Sequence, residues 1–277
     1  MKKRFSPQRT QRTQREERVK YLHFFLCVLC VLCGKYSFAA DADYARIGGA
    51  TFRSVLPVTK NSNEVVLKSF QLAQTPVTNA AFLEFVRRNP QWQRGRAPAL
   101  FADEGYLRQW AGPLDLGSAD PQQPVVQVSW FAAQAYCEAQ GVRLPSWHEW
   151  EWAAAADGKL TDARDDPAWR QQILNWYSEP GTGALPRVGR TAPNVYGVHD
   201  LHGLVWEWVD DFGAMMVSGD NREQGDPDLM KFCGTGALSM EQKENYAVLM
   251  RIAMLSSLKA AYTTANLGFR CAKDEAR

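Results

Sequence analysis

The stretch that most constrains this chain runs from Ala192 to Asp211. Asp200 and Glu207 supply hard carboxylate oxygens, and Gly203 lies between them. Glycine lets the backbone turn there with its carbonyls facing inward. Trp206 and Trp208 are large apolar anchors beside that turn. The local residues leave two readings open. One is a surface turn with solvated acids; the other is a loop wrapped around a hard cation, calcium by its preference for oxygen.

Charge is distributed unevenly. Residues 1–40 hold nine Lys/Arg and two Glu, a net of +7, whereas the whole chain of 277 residues is only +2. The remainder is therefore mildly acidic, at −5. This argues against a nucleic-acid backbone as partner. The basic segment Met1–Lys20 precedes an apolar run, Leu22–Cys33, and then Ser37-Phe-Ala39 with small residues for cleavage. That order predicts a signal peptide over 1–39, with the folded domain over 40–277 and a periplasmic location. An uncleaved anchor is the other reading, but a run of about a dozen residues is short for a membrane span. No membrane anchor is expected after cleavage. Export removes Cys27, Cys30 and Cys33 and leaves Cys137, Cys233 and Cys271. In an oxidising compartment three cysteines imply one disulfide and one free thiol.

Short elements follow one another along the mature region. Tyr44–Arg53 reads as a strand interrupted by Gly48-Gly49, and Glu64–Leu72 as a second strand. Thr78 caps a helix over Asn79–Arg88. Residues 90–124 form a long ordered loop, held down by Trp92, Phe101, Tyr106 and Trp110. Ser129 caps a helix over Trp130–Gln140, stopped by Gly141. Ser146 and Glu149 make a capping box for a helix ending near Ala156. Residues 159–190 read as irregular, Tyr246–Ser257 as strand or helix, and Asn266–Cys271 as a short buried strand. The sum is an α+β domain low in regular secondary structure.

Several stretches together resemble the formylglycine-generating enzyme, or sulfatase-modifying factor, family. They are Thr75–Asn79, Pro124–Trp130, Tyr136-Cys137 with Arg143–Pro145 and Glu149–Glu151, Asn194–Trp208, and Gly268–Cys271. The resemblance implies a single compact domain of the family's C-type-lectin-like fold. It implies structural calcium with side-chain ligands at Asp200 and Glu207 and carbonyl ligands at Gly203 and Val205. It also implies a disulfide between Cys137 and Cys271, leaving Cys233 free.

The chemistry departs from that pattern. Family enzymes oxidise a substrate cysteine with a cysteine pair that binds copper(I), a soft ion suited to two thiolates. Those positions fall near Gln242 and Ala247 here, and no cysteine occurs between Gly234 and Arg270. No catalytic residue is assigned, and copper is not expected as a cofactor. His199 and His202 read as solvated or capping. Arg251 and Cys233 are candidates for lining a groove, with a solvated face the simpler reading of Arg251. The expected function is that of a monomeric periplasmic accessory or maturation factor for an exported protein or peptide. The runs from Cys233 and from Ser256 look most like members encoded with copper nitrite reductases, which suggests such a partner. The alternative is an oxygen-dependent oxidoreductase that uses residues other than cysteine.

Overall fold

The computed structural model describes residues 43–56, 62–178, 183–213 and 246–275. The expected signal segment 1–39, Cys233 and Gln242 lie outside the described residues.

Seven short strands form three small sheets. β1 (Tyr44–Ile47) pairs antiparallel with β4 (Phe70–Ala73), which pairs on its other side with β7 (Ala272–Asp274). β2 (Ala50–Arg53) pairs antiparallel with β3 (Glu64–Leu67). β5 (Trp206–Trp208) runs parallel to β6 (Leu267–Phe269), with Glu207 opposite Gly268. The two long strands expected near the N-terminus are each split, and their halves enter different sheets. The break at Gly48-Gly49 has a steric basis. A Cβ on Gly49 would stand 2.9 Å from the Leu67 carbonyl oxygen, where only glycine fits without a shift.

Among the described residues, five α-helices and a single 3-10 turn at Pro90–Trp92 carry the remaining regular structure. In α1 (Asn79–Arg88) the Thr78 hydroxyl accepts from the Ala81 amide, and Phe82, Phe85 and Val86 face inward. Ser129 caps α2 (Trp130–Ala139) in the same way. α3 (Trp147–Ala155) starts from a complete capping box: Ser146 N–H donates to Glu149 Oε2 at 2.8 Å, and Glu149 N–H to Ser146 Oγ at 3.3 Å. Two such bonds satisfy amides that a helix end leaves without partners.

α4 (Pro167–Ser178) corrects the reading of 159–190 as irregular. Asp166 Oδ1 accepts from the Ala168 amide at 2.8 Å, and Pro167 occupies the first turn, where its missing N–H costs nothing. α5 (Tyr246–Ser256) resolves the other ambiguous segment as helix. Among the described residues no helix is long and apolar enough to cross a membrane.

The core is aromatic. Phe82, Tyr136 and Phe269 pack ring against ring at 5.3–6.0 Å, and Trp110 lies beside them. The long loop is ordered as expected, with Trp110 1% and Tyr106 5% exposed. Trp110 Nε1–H donates to Asn79 Oδ1 at 2.9 Å, and Asn79 Nδ2 donates to the Asp120 carbonyl. The polar residue that opens α1 therefore ties the loop down. Cys137 on α2 and Cys271, between β6 and β7, sit with Cα atoms 5.7 Å apart and sulfurs in bonding contact. The expected pair is thus brought together in the core.

Candidate functional site

β5 and β6 carry the functional-site candidates because their pairing buries two charged side chains against each other. Glu207 and Arg270 are both 0% exposed. Arg270 Nε–H lies 3.0 and 2.9 Å from the two Glu207 oxygens, and Nη2–H donates to Oε1 at 2.8 Å. The other face of the guanidinium donates to the carbonyls of Ala73, Gln74 and His199 at 2.9–3.2 Å. A buried ion pair persists only when such further bonds replace lost water. Glu207 gains one more donor, Trp150 Nε1–H at 2.8 Å.

Trp150 links this pair to a second cation. The Arg251 guanidinium on α5 sits 3.6 Å from the Trp150 ring centroid and donates through Nη2 to the Glu207 carbonyl at 2.5 Å. That is a cation–π arrangement in a desolvated setting. Arg251 is 1% exposed, which corrects the reading of a solvated groove residue. His202, also expected to be solvated or capping, is buried at 5% and packs edge-on against Trp150. Its Nε2–H donates to the Ala154 carbonyl at 2.9 Å, which fixes the tautomer. Burial first, and then the charges of Arg251 and Arg270, push its pKa down to about 4.

Asp200 belongs to a different hydrogen-bond system. It stands at a left-handed φ of 58° and is 4% exposed. Thr191 donates to Oδ1 from its hydroxyl at 2.8 Å and its amide at 3.2 Å, while the Gly189 amide donates to Oδ2. The Asp200 amide donates back to Thr191 Oγ1. This clasp closes the loop leading into β5. Gly203 makes the turn at a φ of 84°, and a Cβ there would meet Trp176 Cγ at 3.0 Å. Val205 is a core residue, 8% exposed.

The carboxylates of two of the four expected calcium ligands, Asp200 and Glu207, are engaged by other partners in this structure. Both oxygens of Glu207 already receive N–H donors, and the positive charge beside them is a buried guanidinium. A dication there would face Arg270 across a low-dielectric gap. Both Asp200 oxygens likewise accept N–H or O–H bonds. Among the described residues no group of three His, Cys, Asp or Glu side chains is arranged to hold a metal ion. Glu207, expected as an ion ligand, is paired here with an arginine 63 residues downstream. Sequence reasoning noted Arg270 only as part of a motif, since nothing near Glu207 announces so distant a partner.

A cavity of about 320 Å³ opens beside this cluster, between α4 and the segment 191–202, with His202 in its wall. Ala247, near which a family cysteine position falls, lies on α5.

Comparison with known proteins identifies the family. The family profile described as Sulfatase-modifying factor enzyme 1-like domain matches residues 28–275. The chain is 27% identical to the Inactive C-alpha-formylglycine-generating enzyme 2 of Bos taurus, over 88% of this chain and 87% of that one. It is 29% identical to the Formylglycine-generating enzyme of Streptomyces coelicolor, over 76% and 80%. Among solved structures, PvdO from Pseudomonas aeruginosa aligns over 84% of this chain and 94% of its own, with 17% identity and a TM-score of 0.45. On the family match the chain belongs to the sulfatase-modifying factor, or formylglycine-generating enzyme, family.

Proposed function

We propose that this protein is an exported member of its family that does not perform thiol oxidation and serves a secreted partner as an accessory or maturation factor. The observation that carries the reading is the cysteine inventory. Beyond residue 40 the chain has three cysteines, and Cys137 and Cys271 face one another in bonding contact. Cys233 alone cannot supply the two thiolates that copper(I) chemistry needs. A periplasmic location follows from the signal-like N-terminus, and a copper protein such as a nitrite reductase is the partner class favoured by the sequence. Similarity to a relative named as inactive supports the same reading.

The test is direct. Residues 40–277, incubated with a cysteine-containing peptide, copper(I) and oxygen, should yield no peptidyl aldehyde by mass spectrometry. The same protein, used as bait in a periplasmic extract, should retain a specific exported partner. Aldehyde formation overturns the first half of the proposal, and failure to retain any specific partner overturns the second. Similarity to a relative named as an active enzyme favours one alternative, an oxygen-dependent oxidoreductase working without cysteine. Oxygen uptake with either the peptide or a catechol-type substrate would favour that alternative.

A further inference from the structure

The cavity beside His202 has a chemistry of its own, set by acids and indoles. Its wall includes Asp157, Asp166 and Asp200 together with the indoles of Trp169 and Trp176. No Lys or Arg is among the described residues that line it.

The aromatic part is built as a corner. The rings of Trp169 and Trp176 meet at 88° with centroids 5.8 Å apart. Trp176 also stacks on His202 at 6.1 Å and 18°, and Trp169 meets His202 edge-on at 5.9 Å. Close packing over Gly203 fixes Trp176 in that pose.

The acidic part is preset. Asp157 Oδ1 accepts from the Lys159 and Leu160 amides at 2.7 and 2.6 Å, and those bonds hold its carboxyl below the usual carboxylate range. Lys159 is exposed and outside the lining. Asp166 is anchored by the Ala168 amide at the start of α4. Asp200 is occupied by Gly189 and Thr191, which leaves Asp157 and Asp166 to face a ligand.

Aromatic rings with carboxylates in the same wall, and no Lys or Arg among its described lining residues, suit a positively charged guest, although the Lys159 charge also acts on Asp157 from outside the lining. We propose that this cavity binds a small organic cation, an alkylammonium group seated against Trp169 and Trp176, with its charge balanced by Asp157 and Asp166. The same chemistry is offered by a free amine and by a lysine side chain of a peptide. The inference does not rest on the accessory reading above.

Calorimetry and tryptophan fluorescence on residues 40–277 test it. The probes are n-butylammonium against neutral 1-butanol, and acetyl-lysine amide against acetyl-norleucine amide. At least one ammonium probe should bind saturably, and at least about tenfold more tightly than its neutral counterpart. Binding of n-butylammonium without the lysine amide points to a free amine, and binding of the lysine amide to a side chain; either supports the site. Asp166→Asn and Asp157→Asn, both at partly exposed positions, should each weaken binding about fivefold, and Trp169→Leu at least as much. Melting curves establish that each variant is folded. The proposal is overturned if no ammonium probe saturates below about 50 mM. Equal affinity for the neutral counterparts, or unchanged binding in both folded Asp variants, would overturn it equally.

Discussion

Arg270 meets both carboxylate oxygens of Glu207 at 2.8–3.0 Å, and neither side chain is exposed to water. The pair joins β6 to β5 at the centre of the site. Removing one member leaves the other charged and buried. Arg270→Met should therefore cost about 3–5 kcal/mol in urea unfolding. The double change Glu207→Leu with Arg270→Met should recover only part of that. Trp150 Nε1–H and the carbonyls of Ala73, Gln74 and His199 would still lack partners. A loss below about 1 kcal/mol for the single change would mean that the pair is not dry.

Metal removal should leave stability unchanged. With both Glu207 oxygens held by Arg270 and Trp150, melting in chelator and in excess calcium should agree. A resident ion at a hundred times its Kd would add about 2.7 kcal/mol, easily visible as a higher Tm. Such a shift would reinstate calcium at Asp200 and Glu207.

Reduction should weaken the fold. A Cys137–Cys271 crosslink spans 134 residues, which the loop-closure account values at about 4–5 kcal/mol as an upper figure. Unfolding with and without reductant, and peptide mapping under non-reducing conditions, would check it. A mature protein with three titratable thiols would contradict the pairing.

Acid should destabilise the protein through His202. Its folded pKa, about 4, lies below its ordinary 6.5, so the unfolded chain takes the proton more readily. Stability from this group is complete above pH 6.5 and falls as pH drops from there to about 4. The total loss is about 3 kcal/mol, after which the effect levels off. The wild type measured against His202→Gln at pH 7, 5.5 and 4.5 isolates the effect from other titrating groups. Parallel curves would remove His202 as the cause.

Legibility in the sequence followed the range of the interaction. Thr78, Ser129 and Ser146 were readable because a cap and its amide lie three residues apart. The start of α4 was equally local: Asp166-Pro167, then Trp169, Ile173 and Trp176 at helical spacing, yet the polar residues around them masked the stripe. The Glu207–Arg270 pair had no local signature, and the glycine turn beside two acids matched an ion loop just as well. Arg251 and His202 looked like surface residues because their burial depends on Trp150, which approaches from another helix. The fold could be read from short-range rules and motif order, whereas the electrostatics of the site depended on contacts between distant segments.

The antiparallel order β1-β4-β7 sets the first and last strands on either side of the same middle strand. β6, Arg270 and Cys271 likewise find their mates far upstream. A polypeptide emerging from its N-terminal end must therefore wait, with β4 paired on one side only and β5 unpaired, until residues 267–274 are available. Deletion of residues 267–274 should leave a collapsed but unlatched chain, open to proteolysis.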